Sequence, residues 1–131
     1  MLQGFQTKMA DGVTRDGLNF WFSRAVHYIS VSGMEYVIPI GASTNGASVP
    51  RELWPLFPPF GEYWLAAALH DCAYRNTLQY TDGTKCGLSK DSCDLLFKEA
   101  MESLEVSELT VKTLYEGVKL GGWKAFKDDR S

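Results

Sequence analysis

A chain of 131 residues with 45% hydrophobic, 13% aromatic and 22% charged residues has the composition of one globular domain with a single core, which argues against disorder. Thirteen Lys and Arg against sixteen Asp and Glu give a formal charge of −3 with no basic run, so the positive field that steers proteins to nucleic-acid phosphates is missing and no nucleic-acid partner is expected. The first residues lack the charged and then apolar pattern of a secretory signal, no apolar run approaches a membrane span, and three cysteines cannot all pair within one chain; a protein made in a cytosol with free thiols is expected.

Residues 1–40 read as a small antiparallel β-meander. Phe20, Phe22, Tyr28, Ile29, Val31, Tyr36, Val37, Ile38 and Ile40 suit a pleated surface. Turn signals at Asp11-Gly12, Asp16-Gly17 and Ser32-Gly33 divide them into strands near 3–8, 18–24, 26–32 and 35–40. Residues 41–61 hold four of the five prolines together with Trp54, Phe57 and Phe60, and are expected to form a long loop that is packed down or functional.

Residues 62–126 read as a helical half. A first helix runs from Glu62 to Asn76 with a face of Tyr63, Ala66, Ala67, Leu69, His70, Ala73 and Tyr74. A connection containing Asp82-Gly83 and Gly87 follows. Ser89 caps a second helix to about Ser103, with Asp91 favourably placed in its first turn. Ser107 caps a third, which Gly121-Gly122 ends, and the tail from Lys127 to Ser131 is polar and expected to fray. Strands followed by helices imply a single α+β domain over 1–131.

The chemistry concentrates in Leu69-His70-Asp71-Cys72-Ala73-Tyr74 and, twenty positions after Tyr74, Asp94. On a helix His70 and Tyr74 share a face, while Asp71 points about 100° away. A histidine held by a carboxylate through one ring nitrogen becomes a usable general base through the other. Asp94 is therefore the expected orienter of His70, and Tyr74 the expected donor that holds Asp94. Asp71 is a natural oxygen ligand for Ca²⁺. The Gly-rich run Thr44-Asn45-Gly46-Ala47-Ser48 is the upstream source of further oxygen donors.

The pattern Ala66-Ala67-Ala68-Leu69-His70-Asp71-Cys72-Ala73-Tyr74, then Cys93-Asp94-Leu95-Leu96-Phe97, resembles the two-helix core of calcium-dependent phospholipases A2, most closely the disulfide-free form in parvovirus capsid proteins. The resemblance implies that His70 activates water, Asp94 and Tyr74 support it, and Asp71 binds Ca²⁺ with Asn45 and Gly46 in the loop; the metal would stabilise the oxyanion at an ester carbonyl. Nearly the whole chain also resembles short uncharacterised proteins of tailed phages and prophages. That likeness rests on Thr44-Asn45-Gly46-Ala47-Ser48-Val49-Pro50, Trp54-Pro55-Leu56-Phe57-Pro58-Pro59-Phe60-Gly61, His70-Asp71-x-x-Tyr74-Arg75 and Leu120-Gly121-Gly122-Trp123. Asn45 stands where that family commonly has an aspartate, which weakens the implied metal site.

Three functions follow as expectations. The first is a phage-encoded, calcium-dependent lipid ester hydrolase with phospholipid as partner and peripheral membrane contact through Trp54, Phe57, Phe60 and Trp64. The second is a virion or assembly component that binds other phage proteins, made in the bacterial host cytoplasm and carried in the particle. The third is a small inhibitor of a host defence protein. The aromatic residues have a plainer reading as a seal between loop and core. His27 reads as a half-exposed strand residue. A zinc site from His70, Cys72, Cys86 and Cys93 is disfavoured, because positions i and i+2 on a helix diverge by roughly 200°.

Overall fold

The computed structural model describes residues 3–7, 10–14, 19–44, 55 and 62–130. Among the described residues six strands come first, β1 (Gly4–Phe5), β2 (Gly12–Thr14), β3 (Phe20–Phe22), β4 (Val26–Ile29), β5 (Glu35–Ile38) and β6 (Ser43–Thr44). Four helices follow among them, α1 (Trp64–Tyr74), α2 (Lys90–Ser103), α3 (Glu108–Gly121) and α4 (Trp123–Arg130). The fold is α+β, with antiparallel strands in the N-terminal part and helices after them.

The strands divide between two three-stranded sheets, β1-β4-β5 and β2-β3-β6, instead of running on as one meander. Two of them lie where turns and loop were expected. Gly12 in β2 faces the backbone of Trp21 and the ring of Phe20 so closely that any side chain there would collide. Its glycine therefore marks a close approach within a strand as well as the turn that Asp11-Gly12 suggests. The short β6 pairs Phe20 with Thr44 and Trp21 with Ser43, which brings the start of the expected loop against sheet two.

In sheet one, β4 and β5 pair from Val26 with Ile38 to Ile29 with Glu35. Val26, Tyr28 and Ile38 are buried. His27 is half-buried on the other side of the pleat, its Nδ1 2.8 Å from Glu35 Oε2. The Tyr28 hydroxyl donates to Glu99 Oε1 at 2.7 Å, and the same oxygen accepts from the Val31 backbone N–H at 2.9 Å. This carboxylate fastens sheet one to α2. Sheet two packs on the start of α1, where Phe20 and Phe22 meet the Trp64 ring at centroid distances of 5.0 and 5.9 Å.

Helix α1 is the centre of the molecule. Every residue from Leu65 to Tyr74 is buried, so it is covered on all sides and not on one stripe. The run Ala66-Ala67-Ala68 supplies small side chains that let neighbouring elements close around it. Leu69, Leu78, Phe97, Met101 and Leu114 fill the core beside it. Helices α2 and α3 begin as their sequences predict: Ser89 Oγ accepts from the Ser92 N–H at 3.2 Å, and Ser107 Oγ from the Thr110 N–H at 3.4 Å. Beyond the three expected helices lies a fourth. After Gly122 the chain turns into α4, and Phe126 packs edge-on against Tyr74 at 5.3 Å.

Candidate functional site

Three side chains converge on one buried carboxylate. His70 and Tyr74, one turn apart on α1, both reach Asp94 Oδ1 on α2, with His70 Nε2 at 2.8 Å and the Tyr74 hydroxyl at 2.7 Å. An ionised carboxylate only accepts, so His70 Nε2 carries the hydrogen and, in the neutral ring, Nδ1 is the basic nitrogen. The His70 ring is fixed further by Tyr74 at 4.1 Å and Phe97 at 4.8 Å between centroids. His70 and Asp94 are each 1% exposed, which makes this a dry network in which hydrogen bonds are strong and an unpaired charge is costly.

Oδ2 of the same carboxylate accepts from Lys90 Nζ at 2.7 Å. Lys90 is buried at the start of α2 and also donates to the Val118 and Lys119 carbonyls at 3.0 and 3.2 Å. Burial by itself would push the Asp94 carboxyl up, but the hydrogen bonds from His70, Lys90 and Tyr74 and the charge of His70 outweigh it and hold the group below the ordinary carboxylate value. Asp94 is thereby an anion at neutral pH, the form that orients an imidazole.

Asp71 lies on another face of α1, as its position one residue after His70 requires. Its Oδ2 accepts from Thr44 Oγ1 on β6 at 2.8 Å, and its Oδ1 lies 3.4 Å from Arg75 Nε. Arg75 also donates through a terminal guanidinium nitrogen to the Ser43 carbonyl at 3.2 Å. This second carboxylate is buried and charge-balanced. Both oxygens of Asp71 are thus engaged, one by the Thr44 hydroxyl and the other by the Arg75 guanidinium. Among the described residues no group of three or more His, Cys, Asp or Glu side chains is placed to hold a metal.

The structure thus brings together His70, Tyr74 and Asp94 and sets Asp71 apart from them beside β6. Asn45, Gly46, Trp54, Phe57 and Phe60 lie outside the described residues. Trp64 is half-buried in the contact of α1 with sheet two. Sequence reasoning missed Lys90, and it named Thr44 in the run of oxygen donors without its hydroxyl bond to Asp71. A signal for Lys90 existed: a lysine at the first position of a helix opposes the helix dipole, and its spacing of four from Asp94 puts both on one face.

A family model described as a protein of unknown function (DUF1353) matches residues 20–118. Neither the curated proteins nor the solved structures include a match to the chain. The matched span runs from β3 to the last turns of α3 and carries Thr44, His70, Asp71, Tyr74, Lys90 and Asp94. The chain belongs to the DUF1353 family of proteins of unknown function.

Proposed function

We propose that this protein is a phage-encoded, phospholipase A2-like hydrolase of lipid ester bonds that works with Ca²⁺. The observation that carries the reading is the shared acceptor: Asp94 Oδ1 binds both His70 Nε2 and the Tyr74 hydroxyl, from positions i and i+4 of one helix. Such a dyad sets the tautomer in which Nδ1 takes a proton from water as that water attacks an ester carbonyl. Asp94 stays ionised and stabilises the imidazolium that forms. Asp71, with Asn45 and Gly46 from the segment that follows β6, would hold the ion, which supplies charge stabilisation at the carbonyl oxygen. Thr44 orients the Asp71 carboxylate for that task.

The test is release of fatty acid from phospholipid vesicles with and without Ca²⁺. Release that needs Ca²⁺ and falls by about 10²- to 10⁴-fold in His70→Ala, with a comparable loss in Asp71→Ala and circular dichroism unchanged, is the expected result. No release at millimolar Ca²⁺ from folded wild-type protein overturns the reading.

A second reading, a virion or assembly component that keeps this scaffold and binds other phage proteins, is favoured by the depth of His70, 1% exposed, and by the Arg75 partner of Asp71. It expects the protein at fixed stoichiometry in purified particles, with substitutions at Trp54 or Phe57 impairing assembly more than substitutions at His70.

A further inference from the structure

We infer that Lys90 is a positioning residue for the dyad, which makes the aim of Asp94 depend on how the C-terminal end of α3 is docked. Its ammonium group has three hydrogens and three acceptors at hydrogen-bond distance, Asp94 Oδ2 at 2.7 Å and the Val118 and Lys119 carbonyls at 3.0 and 3.2 Å. The carbonyls belong to the last turn of α3, where the dipole is negative; the Val118 carbonyl also accepts from the Gly122 N–H at 2.9 Å and offers Lys90 its second lone pair. A lysine that is misplaced with respect to its own helix is well placed with respect to the next one.

The packing leaves Lys90 little freedom. The Trp123 ring covers Nζ at 5.0 Å from its centroid. Gly122 presses on the same spot: a methyl group there would sit 3.3 Å from Lys90 Cε and collide with the Tyr74 hydroxyl. The consequence falls on Asp94. His70 and Tyr74 both use Oδ1, so Lys90 alone of the described donors holds Oδ2, and only with both oxygens held is the carboxylate fixed about its last torsion. Without Lys90 a buried oxygen loses its partner, and the carboxylate can rotate to share its donors differently.

The catalytic meaning of this assignment rests on the reading of His70 as a base, but the positioning itself is read by NMR without any substrate. In full-length protein labelled with ¹⁵N-histidine, the His70 Nε2–H proton is expected as a downfield, slowly exchanging signal. Lys90→Met is expected to fold, to shift that signal upfield or lose it to exchange, and Lys90→Arg to restore it in part. A folded Lys90→Met whose His70 signal stays at the wild-type position overturns the proposal. Should Lys90→Met not fold, wild-type protein decides: a scalar coupling between Lys90 Nζ and the Asp94 carboxyl carbon is expected, and its absence overturns the proposal. If vesicle hydrolysis is observed, Lys90→Met should lower kcat on the order of tenfold or more with KM little changed. An NMR effect without hydrolysis supports the positioning and defeats only the hydrolase reading.

Discussion

The protonation behaviour of single side chains separates groups built for reaction from groups built for packing. Burial pushes the Cys72 thiol up to about 12 and the Cys86 thiol up to about 11, and a thiol is nucleophilic only as thiolate. Cys72 and Cys93 are buried and Cys86 is partly exposed, and all three are thiols outside any disulfide. Cys72 and Cys93 pack in the core beside the two helices. Iodoacetamide at pH 8 should therefore modify the native protein slowly and at Cys86 alone, with Cys72 and Cys93 labelled only after denaturation; mass spectrometry of the digested protein reads the order. Fast native labelling of Cys72 would mean that α1 opens far more than its burial implies.

Between elements, the site is held where α1, α2 and the α3–α4 corner meet. Gly122 is the tightest point of that junction, since a methyl group there meets the Tyr74 hydroxyl and lies 2.5 Å from the Val118 carbonyl. Gly122→Ala should lower stability by about 1–3 kcal/mol through overpacking, measured by urea unfolding. Gly121→Ala, with nothing within 4 Å of the added carbon, should cost much less. What was legible in the sequence follows the range of the interactions. The caps at Ser89 and Ser107 and the shared face of His70 and Tyr74 are local, and they stand as read. The hidden features are non-local. Strand β6 is two residues of an apparent loop, given meaning by pairing with Phe20 and Trp21. Lys90 finds its carbonyl partners 28 and 29 positions later. Helix α4 follows two glycines that rightly end α3, and its Phe126 packs on Tyr74, fifty-two positions earlier in the chain.

At the scale of the whole molecule, the core encloses two charge-balanced carboxylates, Asp94 with Lys90 and Asp71 with Arg75, and such pairs bind folding to pH. Asp94 has a folded value below its unfolded one, which lies near 3.9. Between the two values the unfolded chain holds more protons, so lowering the pH favours unfolding there. The contribution of this carboxylate is complete above about pH 5 and is lost as the pH falls through the folded value. Asp82 is lowered as well, by hydrogen bonds from the Thr84 side chain and backbone, so the acid limb of wild-type protein alone does not isolate Asp94. Comparison with Asp94→Asn does, since Asp82 is common to both and cancels. Wild-type protein should be the more stable of the two at pH 7, because the amide leaves Lys90 a buried charge without its counterion. That advantage should shrink steadily as the pH falls below about 5, read as the difference between melting temperatures across the series. A difference that is flat down to pH 2 would mean that Asp94 keeps the same protonation in both states, and that His70, Lys90 and Tyr74 do not hold it as an anion.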